Sequence, residues 1–359
     1  MDHAARRRRL IDRLADLEVE AVLMTRRENV RYMTGFSGSN GQLLLGPAIA
    51  LFLTDSRYEE QSSHEARDLD RRVYPRSFVP AFAEACREAS LRRVGFEAEG
   101  VTFGTHRRLG DESGIELVPT EGLVERFRWA KDPEELRLLE RAQEITDEAF
   151  DWVVPKLTEG ITEARAAFEL EVAMREAGAE AVGFDTIVAF GENAAEPHHH
   201  PTDRPLRPGD LVKMDFGCVV EGYHSDMTRT MAFGDPGAEL REVYEVVRRA
   251  QEAGREAVRA GVTGSEPDRA ARGVIEAAGF GDRFGHSLGH GVGLEIHEGP
   301  SLRAGSEDEL PVGAVVTVEP GVYLPGRGGI RIEDMVVVTE DGSRALPRTT
   351  RELLVVEAP

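Results

Sequence analysis

Apolar residues recur at two different periods along this chain, and the change of period divides it. Near the N-terminus Leu10, Ile11, Leu14 and Leu17 fall at helical spacing. Ala21-Val22-Leu23-Met24 and Leu43-Leu44-Leu45 are short continuous apolar runs, which predict buried strands, and Phe82 to Ala89 predicts a helix. Residues 1–128 therefore read as a smaller α/β domain without a catalytic set of its own. Near residue 130 the texture changes. Asp132-Pro133-Glu134-Glu135 places an N-cap Asp, a first-turn Pro and a Glu at the third helical position. Leu136, Leu139, Ala142, Ile145 and Ala149 then carry the helical period onward, and further helices are expected over 162–177, 238–260 and 266–278. Between them lie strand-like runs, Leu211 to Phe216, Met227 to Ala232, Val315 to Val318 and Ile330 to Val338. Turn residues separate each pair: Val220-Glu221-Gly222 in the first, Leu324 to Gly329 in the second. Residues 129–359 thus predict a second, α+β domain of antiparallel hairpins with helices over one face.

Those hairpins carry acids where a strand needs a reason for them. Asp215 and Asp226 oppose each other if the first turn centres between 220 and 221, and Glu319 and Glu333 do so if the second centres on Gly326. Opposed residues are about 5 Å apart at Cβ, which suits carboxylates sharing metal ions. The two hairpins look like halves of an internal duplication. His290, within the glycine-rich Gly289-His290-Gly291-Val292-Gly293, supplies an imidazole. Four carboxylates in one cleft repel, and at least one would have to stay protonated. Two divalent cations cancel that charge. Carboxylates with one imidazole suit manganese, cobalt or zinc more than copper. Any one of the five alone would more often be a structural or paired residue; the set is the signal.

These blocks resemble the pita-bread metallopeptidases, in the branch of Xaa-Pro dipeptidases (prolidases) and Xaa-Pro aminopeptidases. The likeness extends to Gly191-Glu192-Asn193 with Pro197-His198, to His286 through Glu298, to Gly329-Ile330-Arg331-Ile332-Glu333-Asp334, and more weakly to Arg31 through Phe36 and Leu53 through Tyr58. It implies a pita-bread catalytic domain over 129–359 behind a creatinase-like N-terminal domain over 1–128. It also implies a division of ligands: Asp215 on one ion, His290 and Glu319 on the other, Asp226 and Glu333 between them. Glu319 would carry a proton to the leaving proline nitrogen, with Glu333 as the alternative. His198 and His297 would stabilise the oxyanion and position substrate. Of the run His198-His199-His200, only His198 holds the family position; the run is otherwise a polar loop between prolines. His286 reads equally as a supporting or a catalytic histidine. His297 follows His290 by seven residues, an odd offset that requires the glycines to bend the chain. Arg331 shares a strand face with Glu333, either as a catalytic group or as charge balance, and Tyr223 and Tyr323 read as cleft walls.

Composition narrows the alternatives. A net charge of −21 argues against nucleic acid or an anionic membrane as partner, and 44 Lys+Arg argue against a disordered acidic tail. Arg6 to Arg9 read as a solvated helix start. No apolar run of roughly 18 residues follows them or occurs elsewhere, so the expected compartment is the cytoplasm. Cys86 and Cys218 imply no disulfide framework, and Cys218, at an odd offset from Asp215, reads as packing. No His-Glu-x-x-His or Gly-x-Ser-x-Gly occurs, and Gly326 to Gly329 lies between strands, not before a helix. Short proline-containing peptides are the expected substrates. A homodimer is expected, with the N-terminal domain of one subunit walling the partner's cleft. Methionine aminopeptidase specificity, a metal-free creatine amidinohydrolase and a non-enzymatic binding module are the rivals. The extra N-terminal domain speaks against the first and the intact ligand set against the other two.

Overall fold

A computed structural model of the chain describes residues 1–357. The chain divides into two compact units, Met1–Arg128 and the segment from Trp129 onward. The first is built on a six-stranded sheet in the order Asp70–Tyr74, Ile49–Asp55, Gly41–Gly46, Ala21–Met24, Arg93–Glu97, Glu116–Thr120. The continuous apolar runs become its central strands because both faces are covered: Leu23, Leu44 and Leu53 pack with Phe82 and Leu109. The N-terminal helix His3–Leu14 is capped by Asp2. The arginine run is not wholly solvated, contrary to expectation. Arg6 lies 3.9 Å over the Tyr32 ring, and Arg7 donates to Met33 O and pairs with Asp68; both are buried, and only Arg8 and Arg9 face outward. Four adjacent helical residues span the full circumference, so two of them must turn inward.

The second unit opens on the capping box at Asp132, whose carboxylate accepts from Glu134 N and Glu135 N while Asp132 N donates to Glu135. Helices Pro133–Val153 and Glu163–Glu176 cover one face of the sheet formed by Ile187–Phe190, Asp210–Phe216, Met227–Phe233 and Val355–Val356. Helices Ala238–Ala257 and Ser265–Ala277 do the same for a sheet containing Gly289–Gly291, Glu298–Leu302, Val315–Val318 and Asp334–Val338. The arrangement is repeated, as a duplication would leave it. Alternation along Asp210–Phe216 puts Val212, Met214 and Phe216 against the helices, which leaves Lys213 and Asp215 for the opposite face. Cys218 packs fully buried in the same core, its thiol donating to Ala142 O.

Candidate metal centre

The first hairpin does not have the expected register. Thr228, not Asp226, pairs with Asp215. Glu221 and Gly222 both have positive φ and form a two-residue turn, with Val220 paired to Tyr223. Asp226 therefore falls beside Gly217, diagonal to Asp215. A Cβ at Gly217 would meet Ser225 O at 1.9 Å, so this close crossing requires glycine. The second hairpin turns about Gly326, with Val318 paired to Asp334 and Gly321 to Arg331. Glu319 and Glu333 lie between those pairs, where the hairpin passes from one sheet to another. Pro320, which has no N–H for the ladder, follows Glu319 at the break.

The structure brings the five residues to one cleft of about 520 Å³. Asp226, His290 and Glu333 each offer an oxygen or nitrogen within 4.8 Å of the others. His290 Nε2 lies 3.3 Å from Glu319 Oε1 and 3.7 Å from Asp226 Oδ2. Its Nδ1 lies 3.0 Å from Gly291 O, so a proton held there leaves Nε2 able to act as a ligand. Asp215 takes a contact from Arg331 Nη2 at Oδ2, and Glu333 accepts at Oε2 from Thr228 Oγ1 at 2.7 Å. The other oxygens, Asp215 Oδ1 and Glu333 Oε1, are buried without a hydrogen-bond partner among the described residues.

That imbalance is visible in the proton affinities. Burial, then the neighbouring carboxylates, push Asp226 and Glu333 well above the ordinary carboxylate range. Burial pushes Glu319 up as well, but the hydrogen bond and charge of His290 bring it down to about 2. His290 is raised: burial lowers it, and Glu319 more than offsets that. Buried carboxylates that resist ionisation, with oxygens lacking a donor, form a set that divalent cations fit; each ion replaces a missing donor and relieves the like-charge repulsion.

The remaining predicted residues divide. His198 is exposed on the cleft wall. His297 also lines it, its ring 4.3 Å from that of His290. The chain reverses between the antiparallel strands Gly289–Gly291 and Glu298–Leu302, which brings His297 back beside His290 and answers the odd offset. Arg331 is wholly enclosed, donating to Thr228 Oγ1, Tyr323 OH and Pro197 O besides Asp215. His286 lies on the cleft with Nδ1 at Ser287 O and Nε2 at Tyr323 OH. Tyr323 is thus a link between Arg331 and His286. Tyr223 is not a wall residue: its hydroxyl donates to Glu135 Oε1, the capping carboxylate, away from the cleft.

Several cleft-building residues escape the sequence reading. Lys213 Nζ, fully buried, donates to Ala194 O and Glu196 O; its place two residues before Asp215, on the same strand face, was the available signal. Lys131 and Glu298, the residue after His297, form a buried pair at 2.8 Å. Glu163 gathers the segment around His198 and had no signal beyond its helix N-terminus. Phe184, Ile187 and Ile296 supply apolar wall.

A model described as metallopeptidase family M24 matches residues 137–340, and one described as the creatinase/prolidase N-terminal domain matches residues 6–129. The chain belongs to metallopeptidase family M24, whose chemistry uses divalent metal ions, and it is a metallopeptidase with the pita-bread fold, preceded in the sequence by a creatinase-type N-terminal domain. Its branch is that of the Xaa-Pro dipeptidases (prolidases) and Xaa-Pro aminopeptidases. An uncharacterized peptidase of Bacillus subtilis is 42% identical over 95% of this chain and 97% of its own. Among solved structures, an Xaa-Pro dipeptidase from Bacillus anthracis has TM-score 0.96 and 37% identity, covering 99% of this chain and 100% of its own. An X-Pro aminopeptidase from Thermotoga maritima has TM-score 0.90 and 37% identity, covering 98% and 100%.

Proposed function

We propose that the protein removes the N-terminal residue from Xaa-Pro dipeptides or short Xaa-Pro peptides, using two divalent ions held by Asp215, Asp226, His290, Glu319 and Glu333. The observation that carries this is the buried carboxylate set beside His290, with oxygens of Asp215 and Glu333 left without donors. When bound, the ions lower the pKa of a water and polarise the scissile carbonyl. The rest falls to the chain. The Xaa-Pro bond is a tertiary amide with no N–H to donate, so the cleft must recognise the proline ring by shape, and the nitrogen, like that of any amide, must receive a proton as it leaves. Glu319, ionised and with Oε1 facing His290 and Thr317, is the group for that transfer: its carboxylate takes the proton given up by the attacking water and passes it to the nitrogen. His198 and His297, on the cleft wall, hydrogen-bond the developing oxyanion and orient the peptide. Arg331 holds Asp215 and is read as a positioning and charge-balancing residue. A cleft of about 520 Å³ suits a short peptide.

Manganese is the proposed ion, with cobalt or zinc as alternatives. A homodimer acting in the cytoplasm completes the reading. The charge of −21 favours neither nucleic acid nor an anionic membrane as partner, and no helix among the described residues is long and apolar enough to cross a membrane. The test compares turnover of an Xaa-Pro dipeptide, an Xaa-Pro-Yaa tripeptide and an Xaa-Ala dipeptide. Cleavage of either proline peptide and not the alanine one supports the proposal. Preference for the alanine peptide would overturn it.

A further inference from the structure

We infer that Glu163 is a positioning residue that clamps the segment 190–202 and so fixes His198 on the cleft wall. Glu163 is fully buried at the start of the helix Glu163–Glu176. Its carboxylate gathers five contacts from four residues of that segment. Oε1 accepts from Phe190 N at 2.8 Å and Asn193 Nδ2 at 2.9 Å. Oε2 accepts from Thr202 N at 3.0 Å and Thr202 Oγ1 at 2.6 Å, and meets His199 Nε2 at 2.9 Å. Both ends of the segment therefore close on one side chain. His199 in turn reaches Glu196 Oε2 through Nδ1 at 2.6 Å. Lys213 holds the carbonyls of Ala194 and Glu196, and Arg331 that of Pro197. The His198 ring is exposed to the cleft, so its place is set by the main chain these groups hold.

The clamp is fully saturated: each carboxylate oxygen already has two or three donors. Turning one oxygen into an NH2 group, at unchanged size, sets a donor against donors and releases that side. Glu163 touches none of the five proposed ligands, so the clamp is separable from metal binding. The role in catalysis rests on the proposed reading of His198; the clamp itself does not.

Two readouts test it. In the metal-loaded protein, E163Q should speed amide hydrogen exchange over residues 190–202 and leave the metal content at the wild-type level. On an Xaa-Pro dipeptide it should lower kcat about tenfold or more with KM little changed, as expected for a misplaced group. In an H198A background E163Q should cost nothing further, because the group it positions is gone. T202V, which deletes a single hydroxyl donor, should show the same pattern more weakly and serves if E163Q fails to fold. Unchanged exchange over 190–202, or a kcat loss that multiplies with that of H198A, overturns the inference. Faster exchange in a protein whose wild type cleaves no Xaa-Pro peptide upholds the clamp and refutes the proposed reaction.

Discussion

Thr228 and Glu333 are joined twice: Thr228 Oγ1 donates to Glu333 Oε2 at 2.7 Å, and Glu333 N donates to Thr228 O at 3.1 Å. Thr228 is also the strand partner of Asp215 and accepts from Arg331 Nε at 3.0 Å. One hydroxyl therefore ties the first hairpin to the second at the point where both present carboxylates. Thr228→Val keeps the shape and removes the hydroxyl, leaving Glu333 Oε2 without its donor. Metal affinity should fall about 10- to 100-fold, the usual cost of losing a group that orients a ligand, while the circular dichroism spectrum stays unchanged. Competition against a chelator measures it, and wild-type affinity would show that the hydroxyl orients nothing.

Asp226→Asn should leave the chain folded and the metal-free protein at least as heat-stable as the wild type. Burial and three neighbouring carboxylates make Asp226 costly to ionise, so a neutral amide relieves repulsion. Metal analysis should find fewer than two ions per chain. Two ions and a near wild-type rate would show that Asp226 is not a ligand.

His198→Ala should keep both ions and lower the rate by about 10²–10³, as when one oxyanion donor is removed. His199→Ala needs a different expectation from the one its place in the run suggests. Its ring joins Glu163 to Glu196, so its loss leaves a buried carboxylate oxygen with fewer donors and costs about 1–3 kcal/mol of stability. The two variants are separated by thermal melts: His198→Ala should melt with the wild type and His199→Ala below it. The reverse order would show that the histidine run is misassigned by one residue.

The pH dependence of stability carries the sign of the clamp. Burial pushes the Glu163 carboxyl up, but the Thr202 hydroxyl, Phe190 N–H, His199 and Asn193 hold it below its ordinary 4.5. A carboxyl lowered in the folded state stabilises above its unfolded pKa and loses that contribution as pH falls through the folded value. The difference in melting temperature between wild type and E163Q should be constant above about pH 5.5 and narrow below 4.5. A gap that widens on acidification would mean the carboxyl is raised, not lowered.

How far the sequence reached depended on whether a contact was local. The Asp132 capping box lies within four residues, and the strand at Asp210–Phe216 declares itself by its own alternation. Glu319 and Glu333 could be opposed correctly because Leu324 to Gly329 is dense in turn residues and its centre is Gly326. The register of the first hairpin lies two positions from the one its sequence suggests, because nothing in Glu221 announces a positive φ, and the usual residue at such a position is Asn, Asp or Gly. Glu163 was not legible at all. Its partners lie 27 to 39 residues away and meet it only when the sheet and helix pack. The burial of Arg6 and Arg7 is hidden from the sequence for the same reason, since Tyr32, Met33 and Asp68 reach them from other elements.

Hydrolysis of an Xaa-Pro bond should depend on metal at the Asp215, Asp226, His290, Glu319 and Glu333 set. The direct measurement strips the protein with a chelator, verifies the metal content, and follows cleavage of an Xaa-Pro dipeptide as manganese is added back. Turnover should be lost in the stripped protein and return as two ions bind per chain. Full turnover with metal shown to be gone, or no cleavage with two ions bound, would contradict it.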